Sequence, residues 1–278
     1  MSETPNSIQP LVLVSWDGKS PPLQCLHIDA TPQFSLVLFD FSGTVAQSEL
    51  TVQGLRCRVL SGATECKGEI YQALAAHLAG ASPLPEYVSL IDDDIIIGVS
   101  DINRALHLAR ATGLDVFSPC LSHDSHYTHR WTLQQGQAMA HPVDWVEVMM
   151  PFYRGPLFMA GAPHYEGNVS SWGIDKYLIP TLQKLLGMER TAILNTIVAS
   201  HVRPVTSGQK TYRNGRTAAM ERDALKARCI ALIEREKPEL RHGHWYRRIF
   251  VQRHSRNAWQ RLVYGLGRPI RRWLERST

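Results

Sequence analysis

The sequence has few cysteines, and they form no arrangement that could hold a small fold together. The five cysteines are odd in number, and no two are spaced as Cys-X-X-Cys. Small secreted domains built on disulfides and zinc ribbons both need paired cysteines, so neither class of protein fits this chain. The cysteine pattern instead predicts a reducing compartment, which we take to be the cytoplasm.

Long apolar runs are also missing. No uninterrupted apolar stretch approaches the roughly 20 residues that a membrane-spanning helix needs. The first ten residues are polar and lack the apolar region of a secretory signal peptide, so none is expected. With 278 residues, 44% of them hydrophobic and 20% charged, the chain is expected to form one large domain, or one domain with an appendage.

Acidic residues are scarce at the C-terminal end. From Arg241 onward the chain carries ten arginines and one acid, Glu275, although the whole chain has 30 basic and 25 acidic residues. The arginines are interleaved with Trp245, Trp259 and Trp273, a composition typical of a helix lying on an anionic membrane surface. A helix docked on the body of the protein is the alternative. Binding of nucleic acid, which also uses arginine and aromatic residues, is the less favoured interpretation.

The most informative stretch is an apolar run from Tyr87 to Ile91 that ends in three carboxylates, Asp92, Asp93 and Asp94. A run of this length predicts a buried parallel strand. Because unpaired carboxylates are costly to desolvate, the acids are expected at the carboxyl end of the strand, where open α/β sheets bind ligands. Oxygen ligands suit Mg²⁺ or Mn²⁺, and Mg²⁺ commonly binds substrate phosphates as well. A solvated acidic turn is the alternative.

The remaining segments alternate between strand and helix patterns. This alternation predicts an α/β fold with a Rossmann-type mixed, mostly parallel sheet flanked by helices. We place the domain over residues 1–215 and a basic helical C-terminal segment over 216–278. The predicted strands are 11–17, 34–40, 55–60 and 192–202, and the predicted helices are 65–78, 101–111 with Asp101 as N-cap, 175–186 restarted at Pro180, and 217–236. Residues 115–141 are predicted to form loops and short strands.

One short motif is similar to a different class of enzyme. Asp40-Phe41-Ser42-Gly43-Thr44 follows an apolar run, as in the nucleophile loop of haloacid-dehalogenase-type phosphatases. That loop usually has a second carboxylate where this chain has Ser42. Lys67 and Asp92 also follow too soon for that sheet, and most of the chain would stay unexplained.

Five landmarks and a late histidine follow one another along the chain. They are Leu36-Val37-Leu38-Phe39-Asp40-Phe41-Ser42-Gly43, Cys66-Lys67-Gly68-Glu69-Ile70-Tyr71-Gln72-Ala73-Leu74, Tyr87 to Asp94, Val146-Glu147-Val148-Met149-Met150-Pro151-Phe152, Trp172-Gly173-Ile174-Asp175, and His201. Together they resemble a glycosyltransferase-like family of GT-A type, catalogued as domain of unknown function number 707. The resemblance covers about residues 11 to 208 and implies a GT-A-like domain that moves a sugar from a nucleotide-diphosphate donor.

The resemblance also implies roles for individual residues. Asp94 and His201 look like ligands of Mg²⁺ or Mn²⁺, and Asp92 would reach the metal or the donor. A cation is expected because the leaving diphosphate needs a Lewis acid. The other residues implied in donor binding are Asp40, Ser42, Gly43, Lys67, Trp172 and Gly173. The alternatives are a structural histidine at position 201, a surface lysine at 67 and a core tryptophan at 172.

Attack by an acceptor hydroxyl needs a general base. Asp175 is the better candidate because it lies in a matching motif, although a helix N-cap is its alternative role. Glu147 is a single acid in an apolar run. It is either a base with a raised pKa, a ligand of the acceptor, or a buried acid paired to an arginine such as Arg154.

The stretch that contains His123, Asp124, His126 and His129 is predicted to be a polar loop lining the site, with a second metal site as the alternative. The function expected is metal-dependent transfer of a sugar to a glycan or lipid-linked acceptor in polysaccharide or glycoconjugate synthesis. The C-terminal tail would hold the enzyme at the inner face of the membrane as a peripheral protein. A non-catalytic nucleotide-binding or assembly protein is the alternative function, and the phosphatase comes third.

Overall fold

The computed structural model describes residues 9–204 and 210–251, which form two compact units divided after Pro238. The second unit is described as short helical turns that end at Val251. The predicted boundary at residue 215 falls earlier than this division. The difference arises because the helix Ala218–Glu236 belongs to the first unit, where it buries Leu225, Cys229 and Ile233.

Strands in the described part of the chain join one sheet in the order β2-β7-β11-β8-β10-β6-β1-β3-β5-β4, with β9 paired to β11. Their bounds are β1 Leu11–Trp16, β2 Leu26–His27, β3 Ser35–Asp40, β4 Glu49–Val52, β5 Leu55–Ser61, β6 Tyr87–Ile91, β7 Ile95–Gly98, β8 Val116–Leu121, β9 Ala140–Pro142, β10 Phe152–Arg154 and β11 Thr191–His201.

The centre of the sheet is mostly parallel, as predicted. Strands β5, β3, β1 and β6 run parallel to one another, β10 is inserted antiparallel between β6 and β8, and β8 runs parallel to β11. Every residue of β1, β6 and β8 is buried, which explains why these strands have no polar face.

Helices cover the sheet. They are α1 Lys67–Leu78, α2 Val99–Thr112, α3 Gly155–Ala160, α4 Ala162–Tyr165, α5 Ile179–Leu186 and α6 Ala218–Glu236, with a π-helical turn at Ile174–Leu178 before α5. The predicted N-cap at Asp101 is wrong, because α2 begins earlier and Gly98 takes that position. Gly113 ends α2 in a left-handed conformation, and Pro180 lies in the first turn of α5.

The sheet brings the predicted site residues to one edge. The parallel strands β1, β3 and β6 end at Trp16, Asp40 and Ile91, so the loops that follow them emerge on the same side. Antiparallel pairing of β11 with β7 places His201 opposite Ile95, directly after the acidic triplet. Among the described residues, no helix combines the length and the apolar character needed to cross a membrane.

Candidate active site

Asp92, the first acid of the triplet, is paired with a buried lysine. Lys67 Nζ lies 2.6 Å from Asp92 Oδ1 and also donates to the carbonyl oxygens of Leu90 (3.0 Å) and Met149 (3.2 Å). Burial raises the pKa of Asp92, and the charge of Lys67 opposes that rise. The side chain of Lys67 is 10% exposed, so the surface-lysine alternative is wrong. All three donors of its ammonium group are used by protein acceptors.

Asp93, the second acid, is partly buried and pairs with Arg203 at 2.9 Å. Arg203 follows His201 by two residues, and nothing in the sequence marked it as part of the site. The pair places a positive charge beside the triplet.

Asp94, the third acid, faces the predicted histidine. Its Oδ2 lies 3.3 Å from Nε2 of His201, and both side chains are buried. Nδ1 of His201 lies 2.8 Å from the carbonyl oxygen of His126, which can only accept, so Nδ1 carries a proton. Although burial opposes it, the Asp94 carboxylate raises the pKa of His201, and the protonated ring donates from Nε2 to Oδ2 of Asp94. In the neutral ring Nε2 instead carries a lone pair, which a cation between the two side chains could use. A metal-binding histidine is commonly oriented in this way by a backbone carbonyl.

Two features fit a divalent cation at this point. Oδ1 of Asp94 is buried and has no hydrogen-bond partner within residues 9–204 and 210–251. The neighbouring imidazole nitrogen is a second ligand that Mn²⁺ accepts. However, no three His, Cys, Asp or Glu side chains of the described residues come close enough to hold a metal ion by themselves. The chain therefore offers Asp94 and His201, while Asp92 is engaged by Lys67.

Asp40 organises the loop after β3. Its two oxygens accept hydrogen bonds from the Ser42 amide (2.9 Å) and hydroxyl (2.6 Å), the Val45 amide (2.8 Å) and the Ser61 hydroxyl (2.8 Å). Burial opposes ionisation, but these bonds outweigh it and lower the pKa of Asp40 to about 2. A carboxylate so fully engaged is poorly placed to be a nucleophile, which argues against the phosphatase interpretation. Gly43 is required in this loop by its φ of 71° and by Ala63, whose amide nitrogen lies 2.5 Å from the place of a Cβ.

A cleft adjoins the acidic turn. It is a small, partly open depression between the end of β1 and the segment leading into β2. Trp16, Gln24, Cys25 and Asp93 are among its lining residues. The cleft therefore opens beside the carboxyl end of the central strands, where the loop at Asp40 also begins.

Glu147 is buried beside an aromatic cluster. Its Oε1 lies 3.5 Å from Nε2 of His129, whose ring stacks on Trp131 (4.0 Å between centroids) and meets Trp145 edge-on (4.9 Å). Burial, with a contribution from the charge of Asp175, raises the pKa of Glu147 to about 8.

The predicted partner of Glu147 is wrong. Arg154 lies instead near Glu86 (3.4 Å) and Asp115 (3.8 Å). Arg154 is therefore paired with these two acids. In the described structure, the basic side chain paired with Glu147 is that of His129.

Asp175 lies in the first turn of the π-helical segment. Burial raises the pKa of Asp175 to about 6, although its Oδ1 accepts a hydrogen bond from the Lys176 amide at 2.7 Å. The predicted N-cap role is wrong, because Gly173 takes the cap position with a φ of 90°. Asp175 is thus a partly buried acid and Glu147 a buried one, and desolvation raises the pKa of Glu147 further than that of Asp175.

Trp172 stands out from an otherwise buried loop. It is 37% exposed, whereas Ser170 and Ser171 are each 3% exposed, so the core-tryptophan alternative is wrong. The loop is held by Glu221 from α6, which accepts from the backbone amides of Val169 (3.0 Å) and Ser170 (2.7 Å). Sequence reasoning missed Glu221, which reads as an ordinary acid in the first turn of a helix.

The histidine-rich loop after β8 does not bring its side chains together as a metal site in the part of the chain described. His126 contributes its backbone carbonyl to His201, and His129 contributes its ring to the aromatic cluster. Asp124 accepts a hydrogen bond from Ser122 at 2.6 Å. The loop therefore supports His201 and the aromatic cluster, while its lining of the site stays a prediction.

No protein-family model matches the chain, and no curated protein matches it in sequence. The resemblance to domain of unknown function number 707 stays a prediction. Solved structures do match in fold. S. aureus TarS 1–349 is 15% identical, with a TM-score of 0.55 over 96% of this chain and 78% of that chain. Its complex with UDP is 14% identical (TM-score 0.54, 94% and 76%), and its complex with UDP-GlcNAc is 12% identical (TM-score 0.50, 84% and 75%).

These matches define the class of the fold. The chain has the GT-A architecture of glycosyltransferase structures, with a mixed, mostly parallel sheet flanked by helices. At identities this low the likeness concerns the fold, and the function has to be argued from the site itself.

Proposed function

We propose that the protein is a glycosyltransferase that uses a nucleotide-sugar donor together with Mn²⁺ or Mg²⁺. The observation that carries the proposal is Oδ1 of Asp94, a buried carboxylate oxygen without a protein partner in the described chain, beside the correctly oriented imidazole of His201. A cation that is also bound by a diphosphate would complete this pair. The TarS structures with UDP and UDP-GlcNAc support a uridine-diphosphate sugar as the donor class.

The chain's own residues divide the work around the donor. Asp94 and His201 would hold the cation, which supplies Lewis-acid stabilisation to the leaving diphosphate. Lys67 keeps Asp92 and the end of β6 in place, so that Asp92 is available to the donor rather than to the metal. Asp40, Ser42 and Gly43 shape the loop after β3, which would face the donor from the same edge of the sheet.

The pKa values favour one of the two candidate bases. With a pKa of about 6, Asp175 is about nine-tenths ionised at pH 7 and can accept a proton from an acceptor hydroxyl. With a pKa of about 8, Glu147 is about nine-tenths protonated at the same pH and cannot serve as the base. We therefore assign the base to Asp175 and give Glu147 the role of a neutral hydrogen-bonding group beside it.

The acceptor and the place of action extend the same proposal. A glycan or lipid-linked acceptor, at the cytoplasmic face of a membrane, agrees with the basic composition from Arg241 onward. In the second unit, Trp245 packs edge-on against Phe250 and Tyr246 stacks on it. The rest of the tail, including Trp259 and Trp273, lies outside the described residues.

Calorimetry of UDP binding with and without Mn²⁺ tests the proposal. The wild type should bind UDP more tightly with Mn²⁺ than without it, whereas Asp94→Asn and His201→Ala should bind it equally with and without the metal. Asp101→Asn, an acid of α2 that pairs with Arg104, is the matched control and should behave as the wild type. Equal UDP affinity with and without Mn²⁺ in the wild type would overturn the metal-dependent site.

A further inference from the structure

The buried carboxylate of Glu221 accepts hydrogen bonds from a loop about fifty residues earlier in the chain. It is 2% exposed, and its Oε1 accepts from the Val169 amide (3.0 Å) and from Asn214 Nδ2 (2.6 Å). Its Oε2 accepts from the amide (2.7 Å) and hydroxyl (2.5 Å) of Ser170. These bonds outweigh the effect of burial and keep the pKa of Glu221 below its ordinary value. A buried carboxylate with four donors is a strong and directional anchor.

The loop that it anchors has a conformation that needs support. Ser171 has a φ of 67°, a left-handed conformation that is uncommon for any residue except glycine. The hydroxyl of Ser170 links the anchor to the next residues, because it also accepts from the Trp172 amide at 3.2 Å. Asn168 Nδ2 donates to the Trp172 carbonyl at 3.0 Å, so the backbone of Trp172 is held on both sides.

Helix α1 closes the loop from the opposite side. A Cβ at Gly68 would lie 2.1 Å from the carbonyl oxygen of Asn168, so the helix and the loop are in direct backbone contact. The loop therefore cannot shift toward α1, and Glu221 prevents it from moving away. The loop is therefore buried and held on both sides. Its one large exposed side chain is Trp172, which is 37% exposed and lies three residues before Asp175.

We infer that Glu221 is a positioning residue that fixes Trp172 as a stacking surface for a sugar ring of the substrate. A half-exposed indole on an ordered backbone can bind the apolar face of a sugar at little cost in conformational entropy. This inference rests on the proposed glycosyltransferase function. It assigns α6, which the sequence placed in the C-terminal appendage, to the completion of the site.

The first experiment measures the loop without relying on activity. Acrylamide quenching of tryptophan fluorescence is compared between each protein and its Trp172→Phe counterpart, so that the difference reports Trp172 alone. Glu221→Gln should change the quenching of Trp172. One carboxylate oxygen becomes an amide nitrogen, which donates and so can no longer accept from the backbone amide of Val169 or Ser170. Ser170→Ala, which removes only the bridging hydroxyl, should produce a smaller change in the same direction. Asp223→Asn is the matched control, since Asp223 lies on the same helix with a 64% exposed side chain.

The second experiment is a double-mutant cycle on sugar transfer. Glu221→Gln should lower kcat/KM at least about tenfold, as expected for losing hydrogen bonds to a charged group, and should leave Mn²⁺-dependent UDP affinity unchanged. In a Trp172→Ala background the same substitution should have almost no further effect, because the residue through which Glu221 acts is gone. If Glu221→Gln does not fold, Ser170→Ala takes its place in the cycle.

The outcomes separate this inference from the proposed function. Unchanged quenching of Trp172 in both Glu221→Gln and Ser170→Ala would overturn the positioning role. A loss of kcat/KM that is equally large in the Trp172→Ala background would also overturn it. Changed quenching in a protein whose wild type transfers no sugar from any nucleotide donor would support the positioning of Trp172 and overturn the proposed function.

Discussion

Replacing Glu147 with glutamine tests whether this buried acid is neutral in the folded protein. Burial raises its pKa from an ordinary 4.5 to about 8, so between these values the unfolded chain releases the proton while the folded protein keeps it. The folded protein therefore pays no penalty for Glu147 below about pH 4.5, and its free energy of unfolding falls as the pH rises from there toward 8. Each pH unit in this range lowers the free energy of unfolding by about 1.4 kcal/mol, and the whole range lowers it by up to about 5 kcal/mol.

The glutamine variant has no proton to lose, so this pH-dependent loss should be absent from it. Urea unfolding at pH 5 and pH 8 would give the free energy of unfolding of both proteins. We expect the variant to gain several kcal/mol on the wild type between the two conditions, with about 5 kcal/mol as the upper bound. Glu166→Gln, which removes an exposed carboxylate, controls for the general loss of one negative charge.

The same variant has a consequence for activity. Because Glu147 is already mostly neutral at pH 7, Glu147→Gln should retain most of the sugar-transfer rate. The reasoning would be refuted by a stability difference between variant and wild type that is the same at pH 5 and pH 8. A rate loss as large as that of Asp175→Asn would move the general base to Glu147.

Three further predictions follow from other parts of the structure. Asp175→Asn should lower kcat about 10²–10⁴-fold. The wild-type rate should fall as the pH drops through about 6, because Asp175 becomes protonated, and a rate that does not change between pH 7 and pH 5 would contradict this. Gly68→Ala should destabilise the protein to urea by about 1–3 kcal/mol, because the added Cβ meets the Asn168 carbonyl, whereas Gly62→Ala, with no atom nearer than 3.8 Å, should not. Truncation after Pro238 should leave Mn²⁺-dependent UDP binding intact and abolish sedimentation with anionic vesicles, and equal sedimentation of both proteins would remove the tail from membrane binding.

The buried strands were the most predictable part of the fold. Strands β1, β3, β6 and β11 were predicted to within two residues, because parallel strands covered on both faces leave uninterrupted apolar runs. Strand β8 was not resolved from its surroundings, since Ser118 and Pro119 interrupt its apolar pattern although both lie in a buried strand. Strands of two to four residues, such as β2 and β7, are too short to show a period.

The site divides in a similar way. The pairing of Asp94 with His201 agrees with the motif order, since Asp94 lies in the turn after β6 and His201 ends β11, two strands that the sequence marked clearly. The partners of Lys67 and Glu221 were beyond prediction, because Asp92 and Val169 lie 25 and 52 residues away and meet them only through tertiary packing. A lysine at the start of one helix and a glutamate in the first turn of another look like ordinary surface residues in the sequence.

The pairing of the acidic triplet also affects the order in which ligands bind. Lys67 balances Asp92 and Arg203 balances Asp93, so the turn presents close to one net negative charge rather than three. A turn of that charge, with one imidazole beside it, attracts a bare divalent cation only feebly at physiological ionic strength. It is better suited to a cation that already travels with a diphosphate, whose oxygens complete the coordination sphere. For the proposed metal site, we therefore expect metal and nucleotide to enter together, as a preformed complex, rather than one after the other.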